Sequence, residues 1–157
     1  MNHTHGGMTP EDQKIAGEAL QTALVDLLCV SLQGKQAHWN VTGRHFRSLH
    51  LQLDELVALA RQHADTLAER AVAIGVHPDG RAATVARDTA APFGPGPIAD
   101  EEVILRVIQL LAEIIGRLRE GIRDTEQADP VTQDLLIAVS HDLQKQHWMF
   151  AAQSGAR

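Results

Sequence analysis

The sequence predicts an all-α protein, a four-helix bundle with a short helix in the long crossover between its second and third helices. Three observations carry that prediction. Aromatic residues make up 3% of the 157 positions and tyrosine is absent, while Ala, Leu, Gln, Glu and Arg fill the long segments, a composition that favours helix. Four long stretches place apolar residues at intervals of three and four, the period of a helix with one buried face. A single Gly- and Pro-rich segment, Val76 to Ile98, separates the second stretch from the third and is long enough to carry the chain from one end of a bundle to the other. With 44% hydrophobic residues the chain forms one domain that buries its core without staples.

Residues 1–8, polar and without period, are expected to be a flexible tail whose His3 and His5 are incidental. Thr9-Pro10-Glu11-Asp12 starts the first helix, with a capping hydroxyl, proline at the first position and acids in the first turn. Ile15, Ala19, Leu20, Ala23, Leu24, Leu27, Leu28 and Leu32 give it an apolar face that continues to about Trp39. Asn40-Val41-Thr42-Gly43 breaks it. The second helix runs from about Arg44 to Ile74 and stops at Gly75, with a core stripe from Phe46 through Leu53 and Ala60 to Ala71. A short helix fits Ala82 to Asp88. The third helix, about Ala99 to Asp124, has the densest apolar period and is expected to be the most buried, with Gly116 and Gly121 allowing close packing. After a break at Thr125-Glu126-Gln127-Ala128, Asp129-Pro130 starts the fourth helix, which reaches about Gln153. The bundle therefore spans residues 9–154, and 155–157 form a short C-terminal tail.

The lone cysteine, Cys29, lies in an apolar run and reads as a buried, unpaired thiol in a reducing compartment. No N-terminal segment has the pattern of a secretory signal, and no stretch approaches the length of a membrane span. The cytoplasm is the expected location. A formal net charge of −6 disfavours nonspecific nucleic-acid binding and suits cations.

The metal-capable residues gather between Lys35 and Arg70. His50 and Asp54 are four residues apart, as are Asp65 and Glu69, so each pair stacks on one helix face. Eleven residues, close to three turns, separate Asp54 from Asp65, which puts both pairs on one stripe roughly 16 Å apart along the axis. Metal–ligand bonds are about 2–2.6 Å, so the pairs cannot share an ion within one straight helix. Between two antiparallel copies they can: His50 and Asp54 of one chain would face Asp65 and Glu69 of the other, with two identical sites about a two-fold axis. His38, just before the helix break, can be brought beside the second helix by the reversal. A di-iron site inside one bundle would require Glu-x-x-His motifs, and the chain contains none. The bland reading is a surface pair at His50–Asp54 and solvated charges at Asp65 and Glu69 on a face shared with Arg61 and Arg70. Mixed imidazole and carboxylate donors suit iron, manganese or zinc, iron best. His45 and His63 are out of phase, at most outer contributors, and His141 and His147 read as surface residues. Trp39 is either an electron donor near such a centre or a packing residue at the break, and Trp148 a core or interface residue.

With these residues in place, the chain resembles the Dps family, the mini-ferritins. The resemblance runs from about Leu20 to Phe150, on KQAHWNVTG at Lys35 to Gly43, FRSLHLQLDE at Phe46 to Glu55, DTLAERAVAIG at Asp65 to Gly75 and, more weakly, DLQKQHWM at Asp142 to Met149. It implies a ferritin-like four-helix bundle assembled as a hollow dodecamer. Ferroxidase centres would lie between two-fold-related subunits, His38, His50 and Asp54 coming from one and Asp65 and Glu69 from its neighbour. It further implies Fe(II) as substrate, hydrogen peroxide as preferred oxidant, ferric mineral stored in the cavity, and acidic iron-entry pores that map onto Glu126, Asp129 and Asp134. The chain departs from the DNA-coating members: its first positive side chain is Lys14 and its last residues offer only Arg157, so DNA binding is expected to be weak or absent. Gln144 stands where relatives carry an acid. Two other functions remain beside the ferroxidase and iron-storage cage: a nucleoid-associated, DNA-compacting protein, and an oligomer whose interface zinc is structural.

Overall fold

A computed structural model describes residues 7–154. The expected tails at 1–6 and 155–157, with His3, His5 and Arg157, lie outside the described residues. Five helices and two very short strands follow in the order α1 (Pro10–Asn40), β1 (Val41–Thr42), α2 (Phe46–Ala73), α3 (Ala82–Asp88), β2 (Ile98–Ala99), α4 (Asp100–Ala128) and α5 (Pro130–Gln153). Thr9 caps α1 as its sequence demands: its hydroxyl accepts from the Asp12 N–H while the Asp12 carboxylate reaches back to Thr9. Met8, assigned to the tail from the sequence, packs against the core instead.

The main packing partners are α1 with α2, α4 with α5, and α1 with α4. Because α1 lies under the short α3 as well as against α2 and α4, it carries fourteen buried residues against ten in α4, contrary to the expectation that the densest apolar period marks the most buried helix. Its composition alone would let it cross a membrane, also contrary to expectation, but that apolar surface is packed within the bundle. Leu32 and Phe46 leave the buried stripes to which their spacing assigned them and are largely exposed. Gly121 lies against Ala19 and Leu136, as close packing requires, whereas Gly116 faces open space. The expected break at 125–128 is absent: α4 runs through it, with the Thr125 hydroxyl donating to the Gly121 carbonyl one turn back.

The crossover is held on α1 by side-chain amides. Gln13 donates to the Ile74 carbonyl, Gln21 exchanges two hydrogen bonds with the Asp79 backbone, Gln33 accepts from the Phe93 N–H, and Gln36 donates to the Gly94 carbonyl. At its far end β1 and β2 pair in parallel, Val41 with Ile98 and Thr42 with Ala99. Two-residue strands leave no periodic trace in a sequence. Their effect is large, because they bind the α1–α2 turn to the start of α4. The buried Asp100 carboxylate then accepts the His45 N–H at 2.8 Å, and Gly43, at φ +129°, passes so close to it that a Cβ would lie 2.4 Å from the carboxyl carbon. Backbone N–H donors at His45 and Glu101 hold the Asp100 carboxyl below the usual range, against the opposing effect of burial.

Candidate metal centre

The braced α1–α2 turn sets His38, from the last turn of α1, against His50, from the first turns of α2. Their rings stack, centroids 3.6 Å apart and planes 19° from parallel. Each ring binds the other's backbone: His38 Nδ1 lies 2.7 Å from the His50 carbonyl oxygen, and His50 Nδ1 lies 2.8 Å from that of His38. A carbonyl only accepts, so both Nδ1 atoms carry the proton, and in the neutral rings both Nε2 atoms keep a lone pair for an electrophile. The same anchoring fixes imidazole ligands in many metal sites. Phe46 tilts against the His50 ring at 5.1 Å.

Asp54 completes this cluster. One of its oxygens lies 3.4 Å from His38 Nδ1 and forms an ion pair with Lys35. The hydrogen bond from the Lys35 ammonium holds the Asp54 carboxyl below its ordinary range, outweighing desolvation, with both histidines adding to the effect. Lys35 was not singled out among the donors in the sequence, although its place three residues before His38 puts it on the same helix face.

Asp65 and Glu69 are exposed, and neither side chain makes a hydrogen bond or ion pair among the described residues. The two arginines that could have neutralised them are engaged elsewhere. Arg61 Nε donates to the buried Ser31 hydroxyl at 2.8 Å, and Arg70 pairs with Asp129 at 2.6 Å while its Nε reaches Thr132. Among the described residues of one chain, no three His, Cys, Asp or Glu side chains converge to hold a metal. The chain therefore carries two partial donor sets on one helix, one braced and one bare.

The other candidates separate by environment. Asp129 is buried, caps α5 through the Val131 and Thr132 N–H groups, and neutralises Arg70. Burial pushes its carboxyl up, but Arg70 and Thr132 prevail and hold it below the usual range. Glu126 and Asp134 are exposed on either side of this junction. His45 is exposed and engaged through its backbone, His63 Nε2 pairs with Asp142 at 2.8 Å, His141 is exposed and His147 half-buried. Trp39 and Trp148 both present most of their surface to solvent, which removes the core from the alternatives for Trp148 and tight packing at the break from those for Trp39. Gln144 donates to the Ser140 hydroxyl. Cys29 is buried and free, its thiol pushed up by desolvation and its Sγ directed at the Ala90 carbonyl.

A ferritin-like domain profile matches residues 17–156. The chain is 36% identical to DNA protection during starvation protein 2 of Deinococcus radiodurans over 143 residues, 90% of this chain and 59% of that protein. It thus spans well under two thirds of that relative's length. It is 33% identical to the DNA protection during starvation protein of Agrobacterium fabrum, over 85% of this chain and 83% of the relative. Its structure resembles that of Dps from Microbacterium arborescens in a high-iron form, with a TM-score of 0.89 and 31% identity, covering 92% of this chain and 95% of that one.

Proposed function

This chain belongs to the Dps family of ferritin-like proteins, and we propose from that premise that it is a ferroxidase and iron-storage protein that assembles with copies of itself. Iron storage and protection are general to the family. The observation that carries it is the reciprocal His38–His50 pair, which leaves both Nε2 atoms as donors beside an ionised Asp54, on the helix that also presents the bare Asp65 and Glu69. Fe(II) is the substrate. His38, His50 and Asp54 bind it from one subunit, and Asp65 and Glu69 of the partner subunit close the site. Two Fe(II) each give one electron to one hydrogen peroxide; the O–O bond breaks, two protons are taken up, two waters form, and the iron passes on as ferric mineral. Hydrogen peroxide is the preferred oxidant and the assembly a dodecamer. Acidic side chains at Glu126 and Asp134 draw cations toward the cavity. Asp129 stands between them but is already committed to its cap and to Arg70. The buried, unpaired Cys29 fits a reducing compartment, and we assign the protein to the cytoplasm; a net charge of −6 gives DNA a minor role at most.

The test adds Fe(II) anaerobically to purified protein, supplies hydrogen peroxide, and follows ferric absorbance beside a His50→Ala, Asp54→Ala variant. Fast oxidation with iron kept soluble in a large assembly, slowed about 100-fold in the variant as expected when metal donors are removed, supports the reading. Equal rates would remove it and favour a structural zinc at the same donors.

A further inference from the structure

Away from the ligand stripe, α2 carries another histidine on a different face. His63 lies nine residues past Asp54, about two and a half turns, which sets it about 180° round the helix from that carboxylate and about 13 Å farther along the axis. It faces α5. Polar contacts join these two helices at three levels: Arg70 with Asp129 and Thr132, His63 with Asp142, and Gln52 with Gln153. On α5, Thr132, Asp142 and Gln153 are ten and eleven residues apart, about three turns each, so they mark the face turned toward α2. Gln146 stands on that face, four residues after Asp142 and seven before Gln153.

Gln146 is the exception in this polar seam. It is 8% exposed, and its Oε1 is buried without a hydrogen-bond partner, the one such side-chain atom among the described residues. Leaving a buried acceptor unanswered is costly. Helical side chains lean toward the helix N-terminus, so Gln146 reaches back over the turn that carries Asp142. That carboxylate has no Lys or Arg partner among the described residues; the His63 ring answers it, Nε2 to Oδ2 at 2.8 Å. A carboxylate only accepts, so Nε2 carries the proton in this bond. The separation also suits a metal, because two ligand atoms bound at about 2.1 Å and at right angles lie about 3 Å apart. Replacing the shared proton by an ion would open the pair by only about 0.2 Å.

We propose that His63 Nε2, an Asp142 oxygen and Gln146 Oε1 form a second metal site, which clamps α2 to α5 and takes a first-row divalent cation. Solvent completes the coordination at the half-exposed Asp142, and binding releases the Nε2 proton. A cation answers both acceptors at once, the orphaned amide oxygen and a carboxylate that no Lys or Arg neutralises. The site shares no residue with the donors at His38, His50, Asp54, Asp65 and Glu69.

Zinc alone, which undergoes no redox change, tests it. The background is the full chain with His50→Ala and Asp54→Ala. In equilibrium dialysis it should hold one more Zn(II) per subunit than the same chain with His63→Gln added. Gln146→Leu in the same background should weaken that equivalent at least tenfold, while the metal-free protein stays at least as stable because the orphaned oxygen is gone. Gln146→Glu supplies a charged donor at the same place and should tighten it. Zinc should raise the melting temperature of the background protein, and less so with Gln146→Leu. Unchanged zinc stoichiometry and affinity in the His63 and Gln146 variants overturns the proposal. So does loss of the equivalent with His63→Gln but not with Gln146→Leu, which would mean that a surface His and Asp bind zinc without the buried amide. Neither iron nor peroxide is used, so failure here leaves the ferroxidase reading untouched, and failure of peroxide-driven oxidation leaves this site standing.

Discussion

The two donor pairs on α2 have the same spacing and opposite surroundings. His50 and Asp54 are braced by their own chain through the His38 carbonyl, Lys35, and a turn tied to α4; among the described residues, Asp65 and Glu69 make no hydrogen bond or ion pair. The contrast is maintained from both sides. Lys35 is brought to one carboxylate, while Ser31 and Asp129 draw Arg61 and Arg70 away from the other two. A chain that merely decorated its surface with charge would let neighbouring arginines and carboxylates pair, since nothing opposes it. Here the half that must hold imidazoles in a fixed orientation is preorganised, and the half that supplies negative charge is left for a neighbour.

The largest expected effect comes from breaking the brace. Gly43→Ala places a side chain at positive φ, against the Asp100 carboxylate, and should cost about 2–3 kcal/mol from backbone strain alone. That lowers the melting temperature by about 5–10 °C for a domain of this size. Iron oxidation should fall with it, because the turn that places His38 beside His50 is displaced. A variant that melts like the parent would show that the turn is softer than its geometry implies.

Asp129→Ala acts on the other half. Losing the α5 cap should cost about 2 kcal/mol, read as a fall of about 5 °C in melting temperature. The freed Arg70 can then turn toward Glu69, so Fe(II) binding should weaken although no donor has been changed. Unaltered Fe(II) affinity would mean that Arg70 does not govern the bare pair.

Acid provides a milder perturbation. The carboxyls of Asp54, Asp100 and Asp129 are all held below their ordinary range. A depressed carboxyl stabilises the fold above its unfolded value, near 3.9, and that contribution is lost as pH falls through the folded value. Thermal stability should therefore be level from neutrality to about pH 5 and decline below about pH 4. Asp129→Asn should flatten part of the decline, and an identical pH profile in that variant would assign the slope elsewhere.

These contrasts separate what a sequence can reveal from what it cannot. The four long helices, the short helix at Ala82–Asp88, both proline-led helix starts and the stop after Ile74 were legible, because caps and helical period are local. So was the alignment of His50, Asp54, Asp65 and Glu69, which spacing alone decides. The continuation of α4 through Thr125 to Ala128 was not, since polar residues at a helix end resemble a turn until their intrahelical bonds are seen. The exposure of Leu32 and Phe46 was hidden because a helical period shows that a face exists, not how wide its cover is. The Asp100 clasp, the β1–β2 pairing and the diversion of Arg70 to Asp129 join residues more than fifty positions apart, and no local pattern announces them. Partnering, more than placement, was the illegible quantity.

The smallest expected change in stability belongs to the pair that matters most for chemistry. Asp65→Asn with Glu69→Gln removes two exposed charges that make no hydrogen bond or ion pair among the described residues, so the stability of the metal-free protein should stay within the range of neutral surface substitutions, about ±0.5 kcal/mol. Peroxide-driven Fe(II) oxidation should nonetheless slow as far as it does in the His50→Ala, Asp54→Ala variant. The two variants then differ in one respect: the second also loses the Lys35 pair and the ring anchored to the His38 carbonyl. If the double amide variant instead loses stability before any metal is added, Asp65 and Glu69 have partners in the assembly even without iron. The braced and bare halves would then be two parts of a salt-bridged interface, and metal would enter by displacing one of those partners.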